Sequence, residues 1–355
     1  MNDVHDTLTA VVREVCAKLS GAEIRARADD GGWNAPLWAA LEELGMTTIA
    51  VPEEAGGSGG TISDAVAVLQ VLGEHAAAIP FAESCLLGGW LLARCGEPVP
   101  RGPLTATVAG DGLHVVRHGD KVGVRGSIRR VPWARQAEHL LVVHGAGVVL
   151  LKAGEFEVLP RTNLAGEPRD DVLVDRSLRA DRDLGRGLTE ASSVLDEFQQ
   201  RAALSRAALL AGAARRALAL AVDYAGEREQ FGRPIARFQA VQQHLAAMAG
   251  EVLAMRIAVD AAAVAVGEGP DVLAVAAAKT TTSGSAGVVA SLAHQVHGAL
   301  GYTAEHPLHR TTTRLWAWRD EGGSEHAWAA ALGRRALGAG PGGLWALVTA
   351  TEAGR

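Results

Sequence analysis

The spacing of the apolar residues changes twice along this chain of 355 residues, and that change limits the folds that it can adopt. Before about residue 103 and after about residue 184, apolar residues recur at the spacing of one helix face. Between these stretches, short β-branched runs punctuated by glycine predict strands: TATVAG, LHVVRHG, KVGVRG, HLLVVHG, GVVLLKAG, FEVLP and DVLVD. This order predicts an α+β fold, mostly α, in which a small antiparallel β unit separates two helical parts.

The first part, residues 1–102, is predicted to be an N-terminal helical domain. In the run NAPLWAALEELG, Asn34 suits the N-cap of a helix and Gly45 its C-terminal cap. A second helix is predicted over about 61–75 from its single apolar face. A third, over 81–94, is apolar nearly all round, which indicates burial between other elements.

Residues 103–183 make the predicted middle β domain, and residues 184–355 a C-terminal four-helix bundle rich in alanine. The first bundle helix is expected to span roughly 25–30 residues. The following helices are separated by GRP (232–234), by GEGP (267–270) and by an interruption at Glu321-Gly322-Gly323.

Composition and charge exclude several classes of protein. A net charge of -6 and a pI near 6.1 do not provide the clustered positive field that nucleic acid or an anionic membrane attracts. No uninterrupted apolar run reaches the ~20 residues needed to span a bilayer, and MNDVHDTLTAVVREV lacks the apolar core of a signal peptide. We therefore expect a cytoplasmic protein with neither a nucleic-acid nor a membrane partner.

The sequence predicts no metal site. The three cysteines do not form a CxxC pair or a Cys/His cluster. Four histidines (His294, His297, His306 and His309) lie close together, but Glu305 is the one carboxylate among them, and we interpret them as polar residues at helix ends. The sequence contains no G-x-S-x-G and no H-E-x-x-H pattern.

The segment YAGEREQFGRPIARFQAVQ (224–242) carries the clearest chemical signal. A helix is predicted to end at Arg228, a Gly-Pro turn to follow, and a new helix to begin at Ile235. Arg228, the backbone amides and the N-terminus of the new helix would together suit an anion such as phosphate. The alternative is an ordinary turn between two helices with exposed charges.

Two segments resemble those of a known flavoprotein family. The first reads YxxxREQFGRPIxxFQAVQ, and the second, HQVHGALGYTAEHPL (294–308), is similar to the pattern QxxGGxGYTxExP. Both are typical of the acyl-CoA dehydrogenase family, and their order and spacing fit it, so the resemblance spans nearly the whole chain. It implies the acyl-CoA dehydrogenase-like fold, with an N-terminal helical domain, a middle β domain and a C-terminal four-helix bundle. It also implies FAD as the cofactor and a role in lipid metabolism.

The resemblance assigns candidate cofactor-binding residues. Arg228 would pair with the FAD diphosphate, Phe231 would pack on the cofactor, and Gln239 would contact its adenosine end. Gln295 and Gly298 would receive the diphosphate region of a neighbouring subunit's FAD. The alternative for Gln295 is a buried amide that caps a helix. Because family FAD sites are built from two subunits, the resemblance also implies an oligomer, usually a tetramer formed as a dimer of dimers.

The resemblance also assigns a reaction and a candidate base. The family removes the α proton of an acyl-CoA and passes the β hydrogen to FAD as hydride, giving a trans-2-enoyl-CoA. Glu321, in TRLWAWRDEGGSEHAW, is the candidate catalytic base, which Gly322 would turn into a cleft. There, burial is expected to raise the pKa of Glu321 towards the working range. The alternative is that Asp320-Glu321 forms a solvated turn.

This chain departs from the family pattern at three places. Gly323 and Glu325 stand where the family has Thr and Gln in contact with FAD, and a carboxylate beside a diphosphate is repulsive unless it is neutralised. Some branches carry the base on the helix before the first segment, where this chain has about Ala202. The flavin-edge motif, an aromatic residue followed by Thr-Glu-Pro and Gly-Ser, has no counterpart here.

Three functions remain open at this stage. The leading one is α,β-dehydrogenation of an acyl-CoA with electrons passed to an electron-transfer flavoprotein, by a homo-tetramer or by a heteromer with a homologous subunit. The second is a non-catalytic or FAD-sharing partner subunit of a heteromeric acyl-CoA dehydrogenase, a kind of enzyme that often acts on bulky thioesters such as steroid side chains. The third is a flavin oxidase or monooxygenase of the same fold. Small residues such as Ala207, Ala208 and Gly212 fit either a bulky acyl group or close helix packing.

Overall fold

The computed structural model describes residues 2–19, 33–145, 147–184, 191–303 and 306–349. Its N-terminal part is helical, as the sequence predicts. Asn34 accepts a hydrogen bond from the Leu37 amide at 3.1 Å and so caps the second helix. The helices of this part are α1 (Asn2–Leu19), α2 (Ala35–Glu43), α3 (Ile62–Glu74), a π-helix (Ala82–Gly89) and α4 (Trp90–Arg94).

The predicted strands are all present, but they do not form one antiparallel unit. They are β1 (Leu104–Val108), β2 (Leu113–His118), β3 (Lys121–Pro132), β4 (His139–His144), β5 (Gly147–Lys152), β6 (Glu157–Leu159) and β7 (Arg169–Arg179). They make two sheets, ordered β1-β4-β5 and β2-β3-β7-β6. The prediction of an antiparallel unit is wrong for β1 and β4, which pair in parallel because β2 and β3 form a crossover that belongs to the other sheet.

The bundle is built from long helices with the breaks that the sequence predicts. They are α5 (Ala191–Glu227), α6 (Gln239–Glu268), α7 (Val272–His297), α8 (Leu308–Trp318) and α9 (Glu325–Thr349), with a short hairpin of β8 (Glu229–Gln230) and β9 (Arg233–Pro234) between α5 and α6. The first bundle helix has 37 residues, which is longer than predicted. The reason is that its N-terminal turns pack against the β unit, where Phe198 is 5% exposed.

Close packing joins the N-terminal helices to the bundle. A Cβ atom at Gly212 of α5 would collide with the carbonyl oxygen of Gln70, and one at Gly73 of α3 would collide with the carbonyl oxygen of Leu209. Ala207 and Ala208 are fully buried in the same core. The small residues of α5 therefore allow two helices to approach closely, and they do not leave space for a ligand.

Within the described part of the chain, no helix is long and apolar enough to cross a membrane.

Candidate functional site

A large cavity opens between the β unit and the bundle. Its volume is about 1370 Å³, and its walls come from β1, the end of β3, α5, α9 and the turn at 320–323. Gln200 of α5 lines this cavity. Its side chain is 6% exposed, and its Oε1 atom has no hydrogen-bond partner among the described residues. A bound group that donates a hydrogen bond would satisfy this atom, so the cavity is the first candidate for a ligand site.

Glu321 lies on the wall of this cavity, in the turn that joins α8 to α9. Gly322 has φ +68°, and a Cβ atom there would approach the Ala202 carbonyl oxygen to 2.8 Å. Gly323 has φ +93°, and a Cβ atom there would collide with the indole nitrogen of Trp328, which donates to the Gly322 carbonyl oxygen at 2.8 Å. The turn therefore requires glycine at both positions, which gives a physical reason for Gly323 where the family has Thr.

Two arginines hold the Glu321 carboxylate. Arg169 donates to both oxygens, from Nε to Oε1 at 2.8 Å and from Nη2 to Oε2 at 2.7 Å. Nε of Arg206 donates to Oε2 at 2.9 Å, and Nδ2 of Asn163 donates to Oε1 at 3.0 Å. The Glu321 side chain is 11% exposed. It is therefore not part of a solvated turn, which was the alternative to the base.

The arginines reverse the pKa direction expected for Glu321. Burial by itself raises the pKa of this carboxyl group, but the charges of Arg169 and Arg206 outweigh burial and lower the pKa to about 2. The expectation from the sequence, a pKa raised towards the working range of a base, is therefore wrong. In this arrangement Glu321 is instead a strongly stabilised anion and a weak proton acceptor.

Arg169 and Arg206, which together form the arginine clamp on Glu321, belong to a larger buried network of charges. Nη2 of Arg206 also donates to Glu83 at 2.5 Å, and Nη2 of Arg169 donates to Glu167 at 3.2 Å. Glu167 accepts a further hydrogen bond from Nε of Arg314 at 3.2 Å. The network contains at least three carboxylates (Glu83, Glu167 and Glu321) and three guanidinium groups (Arg169, Arg206 and Arg314). It connects the π-helix, the β unit and the bundle around one wall of the cavity.

Lys279 of α7 contacts the residue before this turn. The sequence did not identify it as a site residue. Its side chain is fully buried, and Nζ donates to the Arg319 carbonyl oxygen at 2.7 Å and to Ser283 Oγ at 2.9 Å. Burial and, to a smaller extent, the charge of Arg206 lower the pKa of Lys279 to about 7. The sequence contained one signal that could have drawn attention to Lys279: it is one of four lysines among the 34 Lys and Arg residues.

The carboxylate of Glu325, which departs from the family pattern together with Gly323, forms an ion pair. Nη2 of Arg319 lies 3.2 Å from Oε2 of Glu325. The repulsion that this carboxylate would exert on a nearby diphosphate is therefore reduced by an ion pair within the same turn.

The bend between α5 and α6 presents an aromatic and basic surface. Arg228 is exposed beside the β8–β9 hairpin, and Phe231 at the hairpin tip is 92% exposed with φ +52°. The guanidinium of Arg233 lies 4.4 Å from the centroid of the Phe238 ring, and Gln239 begins α6. The hairpin therefore places aromatic rings and guanidinium groups on one surface.

The structure brings the second family segment against the first. The ring of Tyr224, at the end of α5, stacks on His297 with centroids 4.7 Å apart and meets the edge of His306 at 6.4 Å. Gln295 and Gly298, at the end of α7, are exposed beside this stack. Gln295 is therefore not a buried amide, which was its alternative interpretation. Both segments face the same end of the bundle.

The histidines at this end make aromatic and hydrogen-bond contacts. His294 stacks on Tyr302 at 4.2 Å, and its Nε2 lies 2.9 Å from Thr312 Oγ1. No group of three His, Cys, Asp or Glu within the described ranges could hold a metal ion. Residues 304–305 of the second segment lie outside those ranges.

The bend that carries Arg228 follows the C-terminal end of α5, whereas Arg206, which holds Glu321, lies near the middle of this helix. Arg206 and Arg228 are 22 residues apart, and the helix between them is continuous. At ~1.5 Å per residue the separation along the helix axis is about 33 Å. In FAD only a short ribityl chain joins the diphosphate to the flavin ring. The bend of this chain therefore cannot bind the diphosphate of a flavin that lies against its own Glu321.

Comparisons with known proteins decide the family. The acyl-CoA dehydrogenase N-terminal domain matches residues 2–101, and the acyl-CoA dehydrogenase C-terminal domain matches residues 185–337. The chain is 31% identical over 309 residues to acyl-CoA dehydrogenase FadE27 of Mycobacterium tuberculosis, an alignment that covers 77% of this chain and 80% of that relative. This chain belongs to the acyl-CoA dehydrogenase family. The resemblance seen in the two segments is confirmed.

Two further relatives support the family and its fold. Acyl-CoA dehydrogenase IpdE2 of the same organism is 30% identical over 305 residues, covering 85% of this chain and 87% of IpdE2. The crystal structure of the ChsE4–ChsE5 complex from Mycobacterium tuberculosis includes a chain that is 26% identical with a TM-score of 0.86, covering 95% of this chain and 98% of that one. The predicted fold class, α+β and mostly α with acyl-CoA dehydrogenase architecture, is confirmed.

The acyl-CoA dehydrogenase family implies FAD, and the side chains of this member fit it. The bend offers a guanidinium, an exposed aromatic ring and the N-terminus of α6, which together suit a diphosphate and an adjoining flat ring. The cavity offers volume and the unpartnered Oε1 of Gln200.

Proposed function

We propose that this chain is a subunit of an FAD-dependent acyl-CoA dehydrogenase in which each FAD is shared with a second chain. The reaction is the α,β-dehydrogenation of an acyl-CoA to a trans-2-enoyl-CoA, and an electron-transfer flavoprotein is the proposed acceptor. FAD, when bound, supplies the acceptor for the β hydrogen. Of the two assemblies, a homo-tetramer or a heteromer with a homologous subunit, we favour the heteromer.

The observation that carries this preference is the arginine clamp on Glu321. A general base works best when its pKa is near the operating pH. To accept a proton near pH 7, Glu321 would need a pKa about five units above its value here, which costs on the order of 7 kcal/mol. We therefore propose that this chain binds and orients the cofactor, and that the homologous subunit supplies the carboxylate that removes the α proton.

The geometry of the bend supports a shared cofactor. Arg228, Phe231 and Gln239 all lie near an exposed tip, and Gln295 and Gly298 are exposed at the same end of the bundle. We propose that Arg228 pairs with the diphosphate of an FAD whose flavin lies in the cavity of the other subunit. Phe231 and Gln239 would contact that FAD, and Gln295 and Gly298 would meet its diphosphate region. The similarity to a chain of the ChsE4–ChsE5 complex is compatible with such a heteromer.

A second candidate function, that of a self-sufficient homo-tetrameric dehydrogenase, is favoured by the position of Glu321. Its carboxylate lies on the wall of the large cavity, directly before a turn in which Gly322 and Gly323 both have positive φ. In a self-sufficient homo-tetramer, this residue would be the base after acyl-CoA binding had separated it from Arg169 and Arg206. The proposal then requires a rearrangement that withdraws two guanidinium groups from one carboxylate.

Co-expression separates the two candidates. The chain is purified alone and together with a homologous acyl-CoA dehydrogenase subunit, and the flavin absorbance, the molar mass and the anaerobic bleaching by an acyl-CoA are measured. A partner subunit is expected to be colourless alone and yellow in a heteromer that bleaches. A yellow chain that bleaches by itself would establish the self-sufficient enzyme and overturn the heteromer.

Glu321→Gln assigns the base within the assembled protein. If the homologous subunit carries the base, this variant keeps both FAD and bleaching in the heteromer, whereas loss of bleaching with FAD retained makes Glu321 the base. Glu157→Gln, at an exposed glutamate of β6, is the matched control.

A further measurement identifies the electron acceptor. The rate at which electron-transfer flavoprotein reoxidises the reduced flavin is compared with the rate of oxygen uptake. Rapid oxygen uptake without another acceptor would favour the flavin oxidase or monooxygenase.

A further inference from the structure

The outward face of α6 is apolar over most of its length. A helix at a protein surface normally carries polar and charged residues on the side that faces water. Between residues 246 and 264 of α6, every exposed position except Arg256 and Asp260 is apolar. Most of these apolar positions form one band along the helix, which we call the α6 stripe: Ala246, Ala247, Gly250, Leu253, Ala254, Ile257, Ala261 and Val264.

The α6 stripe includes side chains that are large enough to favour association. Leu253, Ile257 and Val264 are 49%, 56% and 54% exposed. Gly250 lies among them, and a Cβ atom there would have no neighbour within 4 Å, so the surface is open at this point. At ~1.5 Å per residue the stripe is about 27 Å long, enough for a partner helix of about five turns. A continuous exposed apolar band of this kind marks an interaction surface.

The α6 stripe continues from the bend that we propose shares FAD with a second chain. Gln239, the first residue of α6, is exposed, and Ala246 and Leu253 follow it at intervals of seven residues. Seven residues make nearly two full helical turns, so these three positions lie on the same face of α6. A chain whose FAD contacts Gln239 would therefore lie beside the stripe.

Positive charge accompanies the stripe. Arg256 makes no ion pair or side-chain hydrogen bond with any residue that the structure describes. Burial and the nearby charges of Arg13 and Arg256 lower the pKa of Arg215. Glu74 pairs with Arg13 and with Arg215 but not with Arg256, and Asp260 accepts a hydrogen bond from a glutamine of α3 at 2.9 Å. The Arg256 guanidinium is therefore left without a counter-charge on the surface beside the stripe.

This charge favours a homologous subunit over a second copy of the chain. In a two-fold dimer the same surface patch of each chain faces the other. Residue 255 is the midpoint of the stripe, so packing the stripe in register on a second copy would bring the two Arg256 side chains close together. Like charges placed opposite each other at an interface are repulsive. A homologous subunit can instead present a carboxylate at this point.

We propose that the α6 stripe is the surface on which the homologous subunit of the heteromer docks. The partner surface has an apolar helix face that covers the stripe and a carboxylate that meets Arg256. This inference rests on the proposed function, in which two homologous chains share each FAD. It goes further by naming the surface that joins the two chains and the charge that selects the partner.

The test places a charge in the stripe of the full chain, co-expressed with a homologous acyl-CoA dehydrogenase subunit. Light scattering over a dilution series gives the dissociation constant of the heteromer. Ile257→Glu is expected to raise this constant at least tenfold, because it would bury a carboxylate against an apolar surface. Val116→Glu, at a valine of β2 with similar exposure, is the matched control and should leave the constant unchanged.

Arg256→Glu tests the selecting charge separately. It is expected to raise the dissociation constant of the heteromer at least tenfold, because two carboxylates would then face each other. Added salt should weaken the wild-type heteromer and should not weaken this variant, since salt screens attraction in one case and repulsion in the other. A variant with the affinity and the salt dependence of the wild type would show that no carboxylate meets Arg256.

Two further results would overturn the docking surface. One is a heteromer of Ile257→Glu with the wild-type dissociation constant. The other is a wild-type homodimer that Ile257→Glu dissolves while the heteromer persists, which would make a second copy the occupant. Circular dichroism checks the fold of each variant, and Leu253→Glu replaces Ile257→Glu if the latter does not fold. A wild-type chain that forms no heteromer would overturn the proposed function as well, so the two failures are distinguishable.

Discussion

Nζ of Lys279 lies 2.7 Å from the main-chain carbonyl oxygen of Arg319, the residue that follows the last turn of α8. A cation at the C-terminal end of a helix satisfies carbonyl groups that have no partner within the helix. Asp320 and Glu321 come next, so this contact helps to fix the turn that carries the candidate base. The acceptors of the ammonium are neutral oxygens, and this explains why a fully buried lysine remains costly when it is charged.

Lys279→Met is expected to change how stability depends on pH. The folded pKa of Lys279 is lowered to about 7, below its ordinary value of 10.5, so the unfolded chain binds the proton more tightly. The wild type should therefore gain stability relative to the variant as pH rises from 7 to 9, by about 2–3 kcal/mol at 1.36 kcal/mol per unit. Denaturant unfolding across this range measures the difference. Lys152→Met, at an exposed lysine of β5, should show no such trend, and a flat difference for Lys279→Met would contradict the buried ammonium.

Glu321→Gln is expected to change how the free energy of unfolding depends on pH in the acid range. The folded pKa is lowered from 4.5 to about 2, so the stability that the clamp provides is fully present above pH 4.5 and is lost as pH falls towards 2. The advantage of the wild type over the variant should shrink over this interval by about 3 kcal/mol. Acid unfolding of the two proteins, followed by circular dichroism, checks this. An advantage that stays constant from pH 5 to pH 2.5 would show that Glu321 is not held by the two arginines.

The sequence predicted the local features of this site because local residues encode them. The Glu321-Gly322-Gly323 interruption was predictable since only glycine suits the two left-handed positions after the carboxylate. The Asn34 cap was predictable for the same kind of reason, since a side chain three residues before an amide can reach it.

The electrostatics of the site could not be predicted in this way. Arg169 and Arg206 lie 152 and 115 residues before Glu321, and nothing in an arginine's sequence neighbourhood reveals its partner. The reversed pKa of Glu321 follows from those two distant contacts. The parallel pairing of β1 with β4 was missed for a similar reason, because strand direction depends on how the chain crosses between sheets.

Gly323→Ala is expected to destabilise the protein by about 1–3 kcal/mol, since a residue with a Cβ atom is strained at φ +93° and would collide with the Trp328 indole. Thr, the family residue at this position, should cost at least as much. Thermal unfolding measures the loss. Gly267→Ala in α6 is the control, because a Cβ atom there has no neighbour within 4 Å, and it should be neutral or stabilising by up to about 1 kcal/mol. A Gly323→Thr variant as stable as the wild type would show that the turn can rearrange to the family conformation.

Arg228→Met is expected to weaken FAD binding in the assembled protein while leaving the fold of the chain unchanged. The side chain is exposed, so its removal costs the chain little stability, within about 0.5 kcal/mol. A charge-assisted hydrogen bond to a diphosphate is worth about 1.5–3 kcal/mol, which corresponds to an FAD affinity about 10- to 100-fold lower.

The measurement for Arg228→Met is the FAD dissociation constant of the co-expressed complex, taken at two salt concentrations. The wild-type affinity should fall with added salt more steeply than that of the variant, because the variant has lost one ionic contact. Arg176→Met, at an exposed arginine on β7 far along the chain from the bend, should match the wild type in both respects. If Arg228→Met bound FAD as tightly as the wild type does, the bend would be an ordinary turn with exposed charges, and the diphosphate would have to be bound elsewhere.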